Sequence, residues 1–119
     1  MAKHNLIGRR GEAIAVDYFQ QKGYQILHKN WRKGRNEIDI IALFSNTLHF
    51  IEVKTRMNYN NTLPEFAVNR AKLKRMMIAA ASYIQEMQPI QGIQFDILAI
   101  TLLPEIEIYL IEDVYLYES

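Results

Sequence analysis

Apolar residues recur at Ile7, Ile14, Ala15, Tyr18 and Phe19 with the period of a helix that rests one face on a core. Asn5 precedes the stripe as a capping residue and Gly23 follows it as a stop, so the pattern predicts a helix over about Leu6 to Lys22. From Tyr24 to Trp31 the residues are β-prone and mixed in polarity, which predicts a strand, and Lys33-Gly34-Arg35-Asn36 reads as a basic loop. Two further strands, Glu37 to Leu43 and Leu48 to Lys54, flank the hairpin-length connection Phe44 to Thr47. Such a pair is antiparallel.

Met57 to Asn61 has a loop composition, and Thr62-Leu63-Pro64-Glu65 has the spacing of a capping box with proline in the first turn. A second helix is predicted from there to Pro89 on the stripe Phe66, Leu73, Met76, Met77, Ala80, Ile84 and Met87, with Arg70, Lys74 and Arg75 on more exposed faces. Phe95 to Leu102 is a nearly continuous apolar run, as in a strand covered on both faces. Pro104 divides it from Ile106 to Glu112, which alternates like a half-exposed strand. The order α-β-β-β-α-β-β predicts an α/β fold: a mixed central sheet of about five strands, flanked by helices on both faces, in one domain over residues 1–119.

Charge changes this picture because it is segregated. All 14 lysines and arginines lie at or before Arg75, and residues 76–119 carry acidic side chains only, so a net charge of +1 conceals a basic first part and an acidic last part. A basic surface of this kind recruits phosphates, unless folding mixes the two parts in space. The absence of cysteine excludes disulfides and thiolate zinc sites, and His4, His28 and His49 lack metal-ligand spacing. Any metal is therefore held by oxygen ligands, which suits Mg²⁺ or Mn²⁺. No apolar stretch approaches a membrane span and Met1 to Gly11 has no signal-peptide core, so a cytoplasmic protein is expected.

The hairpin carries the candidate chemistry. With a turn centred between Ser45 and Asn46, Asp39 faces Glu52 and Glu37 faces Lys54, all on one side of the sheet. Carboxylates on opposed Cβ atoms about 5 Å apart repel unless something compensates. A divalent cation does so, and Lys54 two residues beyond Glu52 can orient a water or stabilise charge on a phosphoryl group. The bland alternative is a solvated strand face with a Glu37–Lys54 surface ion pair. Glu12 shares a helix face with Ala15, Val16 and Phe19 and so points toward the body of the domain, either to extend the site or as a helix-edge carboxylate.

Gly8-Arg9-Arg10-Gly11-Glu12, Asn30-Trp31-Arg32, Glu37-Ile38-Asp39-Ile40-Ile41, Phe50-Ile51-Glu52-Val53-Lys54-Thr55-Arg56, Ala67-Val68 with Lys72, and Phe95-Asp96-Ile97 resemble, in that order, the YraN-like family. That family belongs to the PD-(D/E)xK, restriction-endonuclease-like superfamily and is similar to archaeal Holliday junction resolvases. The resemblance implies that Asp39 and Glu52 bind metal, that Lys54 is the catalytic lysine, that Glu12 is the helix-borne acid of the site and that Arg56 contacts phosphate. Arg9, Arg10, Arg35 and Lys72 complete the expected nucleic-acid surface. Asn36 stands where the family has glycine, and asparagine tolerates a left-handed backbone better than most residues.

Three functions follow from this reading. The first is a metal-dependent endonuclease acting on DNA rather than RNA, with branched or junction DNA suggested by analogy and a homodimer implied by a symmetric junction. The others are a nucleic-acid-binding module with weak or no activity, and a scaffold that contacts a protein partner through its acidic part. The strand Ile106 to Glu112 or the tyrosines 109, 115 and 117 would serve as the dimer interface.

Overall fold

The computed structural model describes residues 2–58, 70–86 and 92–114, with side chains from residue 6 onward. The elements are α1 (Ala2–Gln21), β1 (Gln25–Lys33), β2 (Asn36–Phe44), β3 (Thr47–Arg56), α2 (Arg70–Ile84), β4 (Gly92–Thr101) and β5 (Glu107–Ile111). Helix α1 starts before Asn5, which is therefore not its cap; Ala2, Lys3 and His4 contain no helix breaker to prevent this. The capping box at Thr62 to Glu65, the helical positions Phe66 and Met87, and Tyr115 and Tyr117 lie outside the described residues.

Helix α1 ends in a Schellman motif. Tyr24 N–H donates to the Phe19 carbonyl at 3.0 Å and Gly23 N–H to that of Gln20 at 3.0 Å, with Gly23 at a φ of 95° that a side chain would strain. The β2–β3 turn is the two-residue Ser45-Asn46, with φ of 49° and 63°, the type I′ geometry whose twist matches a hairpin. In the basic loop between β1 and β2, Gly34 takes the left-handed position (φ 61°). Asn36 is instead an ordinary first strand residue paired with Lys33, without the positive φ that would call for glycine.

The sheet order is β1-β2-β3-β4-β5, antiparallel except that β3 and β4 run parallel, as the helical crossover requires. This is the mixed α/β arrangement of restriction-endonuclease-like folds. Alternation along the strands divides the core in two. One face packs Leu48, Phe50 and Ile97 against Leu73, Met76, Ala79, Ala80 and Tyr83 of α2. The other packs Ile40, Ile51, Leu98 and Ile100 against Ala15 and Phe19 of α1. Gly11 lets α1 approach β3 closely, because a Cβ there would run into the Thr55 side chain. Among the described residues no helix is long and apolar enough to cross a membrane.

Candidate active site

The β2–β3 ladder runs from Phe44 opposite Thr47 to Ile40 opposite Ile51 and stops there. The expected register holds as far as Ile40 and Ile51, but neither Asp39 and Glu52 nor Glu37 and Lys54 are a cross-strand pair; Glu37 instead reaches Arg32 on β1, at 3.4 Å. Where the ladder ends, the Asp39 carboxylate accepts the Val53 backbone N–H through Oδ2 at 2.8 Å, satisfying a donor the splayed strands would otherwise leave. Strand β1 has an irregular backbone at the same level: between the pairs Lys29–Ile40 and Trp31–Ile38, which share one register, Asn30 opposite Asp39 has a φ of 53°, and the register shift of β1 lies earlier, between Ile26 and His28. Ile38 and Ile40, two positions apart in β2, enter different cores. Asp39 sits at this local twist and its side chain turns toward β3.

Glu52, whose side chain is 8% exposed, is bound by Lys72 Nζ from the first turn of α2 at 3.0 Å. Asp39 and Glu52 line one cleft of about 200 Å³ with Glu37, Arg35, Lys72, Arg75 and Met76. Burial pushes the Asp39 carboxyl up to about 6; the Val53 N–H and the Lys72 charge oppose the rise, and the charges of Glu52 and Glu12 add to it. Burial works to lower the Lys72 ammonium. Its bond to Glu52 and the charges of Glu52, Asp39 and Glu37 outweigh that and leave it above its ordinary value. The site is thus a set of crowded carboxylates held partly in check by one ammonium.

Glu12 is half-buried on α1 and accepts a bond from Asn30 Nδ2 at 3.2 Å, beside the β1 irregularity that Asp39 faces. Lys54 shares the Glu52 face of β3, since Val53 between them packs into the α1 core and Thr55 after them packs under Gly11 of α1. It is half-buried in register with Ala99 and does not line the cleft. Arg56 Nε donates to Thr101 Oγ1 at 3.0 Å, so its head is tied to β4. Arg9 and Arg10 are exposed on α1, across the sheet from the α2 cleft. Of the basic residues expected to surround the carboxylates, Arg35 and Lys72 do so.

Neither the place of Arg75 in the cleft lining nor the Lys72–Glu52 ion pair is among the expectations from sequence. The available signal is the spacing of Lys72, Arg75, Met76 and Ala79, which puts the two cations on the α2 stripe that meets the sheet. Among the described residues no three acidic or imidazole groups converge as a ready-made metal cage. The donor set, two carboxylates with free lone pairs in an open cleft, nevertheless suits a hard cation that keeps most of its water, as Mg²⁺ does.

The family model described as uncharacterised protein family UPF0102 matches residues 11–100. A UPF0102 protein of Bacteroides fragilis is 45% identical over 100 residues, covering 84% of this chain and 83% of the relative. One of Bacteroides thetaiotaomicron gives the same 45% over 100 residues, with 84% and 83% covered. One of Chlorobium phaeobacteroides is 46% identical over 95 residues, 79% of this chain and 75% of its own. The matched span contains Glu12, Asp39, Glu52, Lys54 and Lys72, and the chain belongs to the UPF0102, or YraN-like, family.

Proposed function

We propose that this protein is a cytoplasmic, Mg²⁺- or Mn²⁺-dependent endonuclease that hydrolyses phosphodiesters in DNA, with branched or junction DNA as the substrate class. The observation that carries the reading is Asp39: a largely buried carboxylate raised to about 6, in one cleft with Glu52 and next to basic side chains. Carboxylates so crowded are costly by themselves and become favourable when a cation joins them. Asp39 and Glu52 would hold that cation, which when bound supplies an acidified water and neutralises charge on the phosphate.

The chain's own groups do the rest. Arg35 and Arg75, at the rim of the cleft, grip phosphates flanking the scissile one. Glu12 and Asn30 fix the backbone irregularity that aims Asp39 at Val53. Lys54 extends toward the phosphate when substrate binds and stabilises the charge that grows on its oxygens as water adds to phosphorus and the ester oxygen leaves with a proton. Binding of nucleic acid without turnover is the second reading, favoured by Lys54 standing outside the cleft lining. A symmetric junction would call for two copies, and β5, an edge strand with Tyr109 half exposed, offers a surface for pairing that a mass measurement in solution tests.

The deciding experiment incubates the protein with single-stranded, duplex, flapped and four-way DNA in Mg²⁺, Mn²⁺ or EDTA. Metal-dependent cleavage that Asp39→Ala and Glu52→Ala abolish is expected. Binding that weakens with salt but never yields product would favour the second reading, and no binding even at low salt would overturn both.

A further inference from the structure

Lys72 reaches the carboxylate that the proposed function assigns to the metal. It comes from the first turn of α2, its Nζ lies 3.0 Å from Glu52 Oε2, and the two side chains are 46% and 8% exposed. The contact closes one wall of the Asp39–Glu52 cleft. Glu52 is therefore nearly sequestered from water, whereas its partner leads out to it along a flexible stem.

A buried carboxylate needs a counter-charge at all times, and a lysine is a compact, mobile point charge that can provide one and withdraw. A hard dication bound to Glu52 oxygen stands about 2 Å from it. With the ammonium at its present distance from the same carboxylate, two positive charges would sit within about 5 Å of each other beside a nearly buried carboxylate, where their repulsion is screened less than in bulk water. They do not share the position comfortably.

We propose that Lys72 is a tethered counter-ion for the metal position: it neutralises Glu52 in the metal-free protein and gives way when a divalent cation binds. This rests on the proposed metal site. Its consequence is a coupling of two events, because an ammonium released from Glu52 at the rim of a basic cleft is available to a phosphate. Metal binding thus both completes the carboxylate pair and delivers one more cation to the nucleic acid. The same competition keeps metal affinity low until phosphate is there to receive Lys72.

The test measures Mn²⁺ binding directly, by calorimetry and by the loss of free-ion signal in electron paramagnetic resonance, on the full chain without nucleic acid. Lys72→Met should bind Mn²⁺ at least 10-fold more tightly than the unchanged protein, Lys72→Gln should do the same, and Lys72→Arg should not. The metal-free Lys72→Met protein should melt at a lower temperature than the unchanged one, and saturating Mn²⁺ should close that gap. If Lys72→Met does not fold, Lys72→Gln carries the comparison. Binding that is unchanged or weaker in both neutral variants, yet lost in Asp39→Ala, would overturn the Lys72 proposal and leave the metal site standing. No Mn²⁺ binding by any of the proteins would overturn both.

Discussion

Strand β3 carries an acidic cluster toward each end, and the two are built in opposite ways. Near its start, His49 Nδ1 lies 2.8 Å from Asp96 Oδ2, and Asp96 Oδ1 also accepts from Gln94 Nε2 at 2.9 Å and from the Asp113 backbone N–H at 3.1 Å. Asp96 is fully buried, and both of its oxygens are engaged. Toward its other end, Asp39 has the Val53 N–H as its donor and two like charges beside it. A carboxylate whose hydrogen bonds are complete is architecture; one held short of partners next to an open cleft is poised to take one. One end of β3 is thus a clamp that ties β3, β4 and the segment after β5, and the other supports a candidate site.

The largest expected effect breaks the clamp. Asp96→Ala leaves His49 buried without its carboxylate and frees the Asp113 N–H, so unfolding stability should fall by about 3 kcal/mol or more, read by urea denaturation. The equivalent change at the other cluster, Asp39→Ala, should cost far less. Equal losses from the two would erase the distinction.

Next comes the contact that seats α1 on the strand. Gly11→Ala puts a methyl group into Thr55, so α1 must lift or Thr55 must turn, at a cost of about 1–3 kcal/mol. Gly11→Ala combined with Thr55→Ala should recover only part of the loss, since it removes Thr55 Oγ1 and Cγ2 but leaves the Thr55 Cβ 2.8 Å from the new methyl carbon. Lys54→Ala is expected to leave stability and Mn²⁺ affinity close to normal while reducing DNA cleavage on the order of 10²-fold. Lys54→Arg should not restore the rate, because a guanidinium is bulkier and differently shaped. Unchanged cleavage by purified Lys54→Ala would remove this lysine from the chemistry.

Why one cluster is legible in the sequence and the other is not follows from how each is assembled. Asp39 and Glu52 are 13 positions apart across a tight turn, so strand alternation and the Ser45-Asn46 turn are enough to bring them near each other. What alternation cannot supply is the end of the ladder at Ile40 and Ile51, where Asp39 leaves the pairing and takes the Val53 N–H with its side chain. His49 and Asp96 are 47 positions apart and meet only after α2 has crossed the sheet and set β4 parallel to β3, with Asp96 beside Ile51. No local pattern encodes that register. The Lys72–Glu52 pair has the same origin, for a helix stripe says which residues face the sheet but not which strand residue each one meets.

The smallest effect is electrostatic and sharpens the contrast most, because it asks whether Asp39 alone is left under-compensated. Its carboxyl titrates at about 6 in the fold against an ordinary 3.8, so the folded state binds this proton more tightly than the unfolded chain does. Below about pH 4 both states are protonated and there is no penalty; stability is lost as the pH rises from there through about 6; above that the loss is complete and constant. The difference corresponds to something on the order of 2 kcal/mol after allowance for partial exposure to solvent. Asp39→Asn keeps an oxygen for the Val53 N–H and removes the charge. In EDTA at about pH 7.5, well above the folded value, the Asp39→Asn protein should therefore melt a few degrees above the unchanged one, and the difference should vanish near pH 4. Saturating Mg²⁺ should reverse the order at the higher pH, since only the carboxylate gains from the cation. Melting temperatures that differ by the same amount at both pH values would show that Asp39 is as fully compensated as Asp96, and the contrast between the two ends of β3 would be lost.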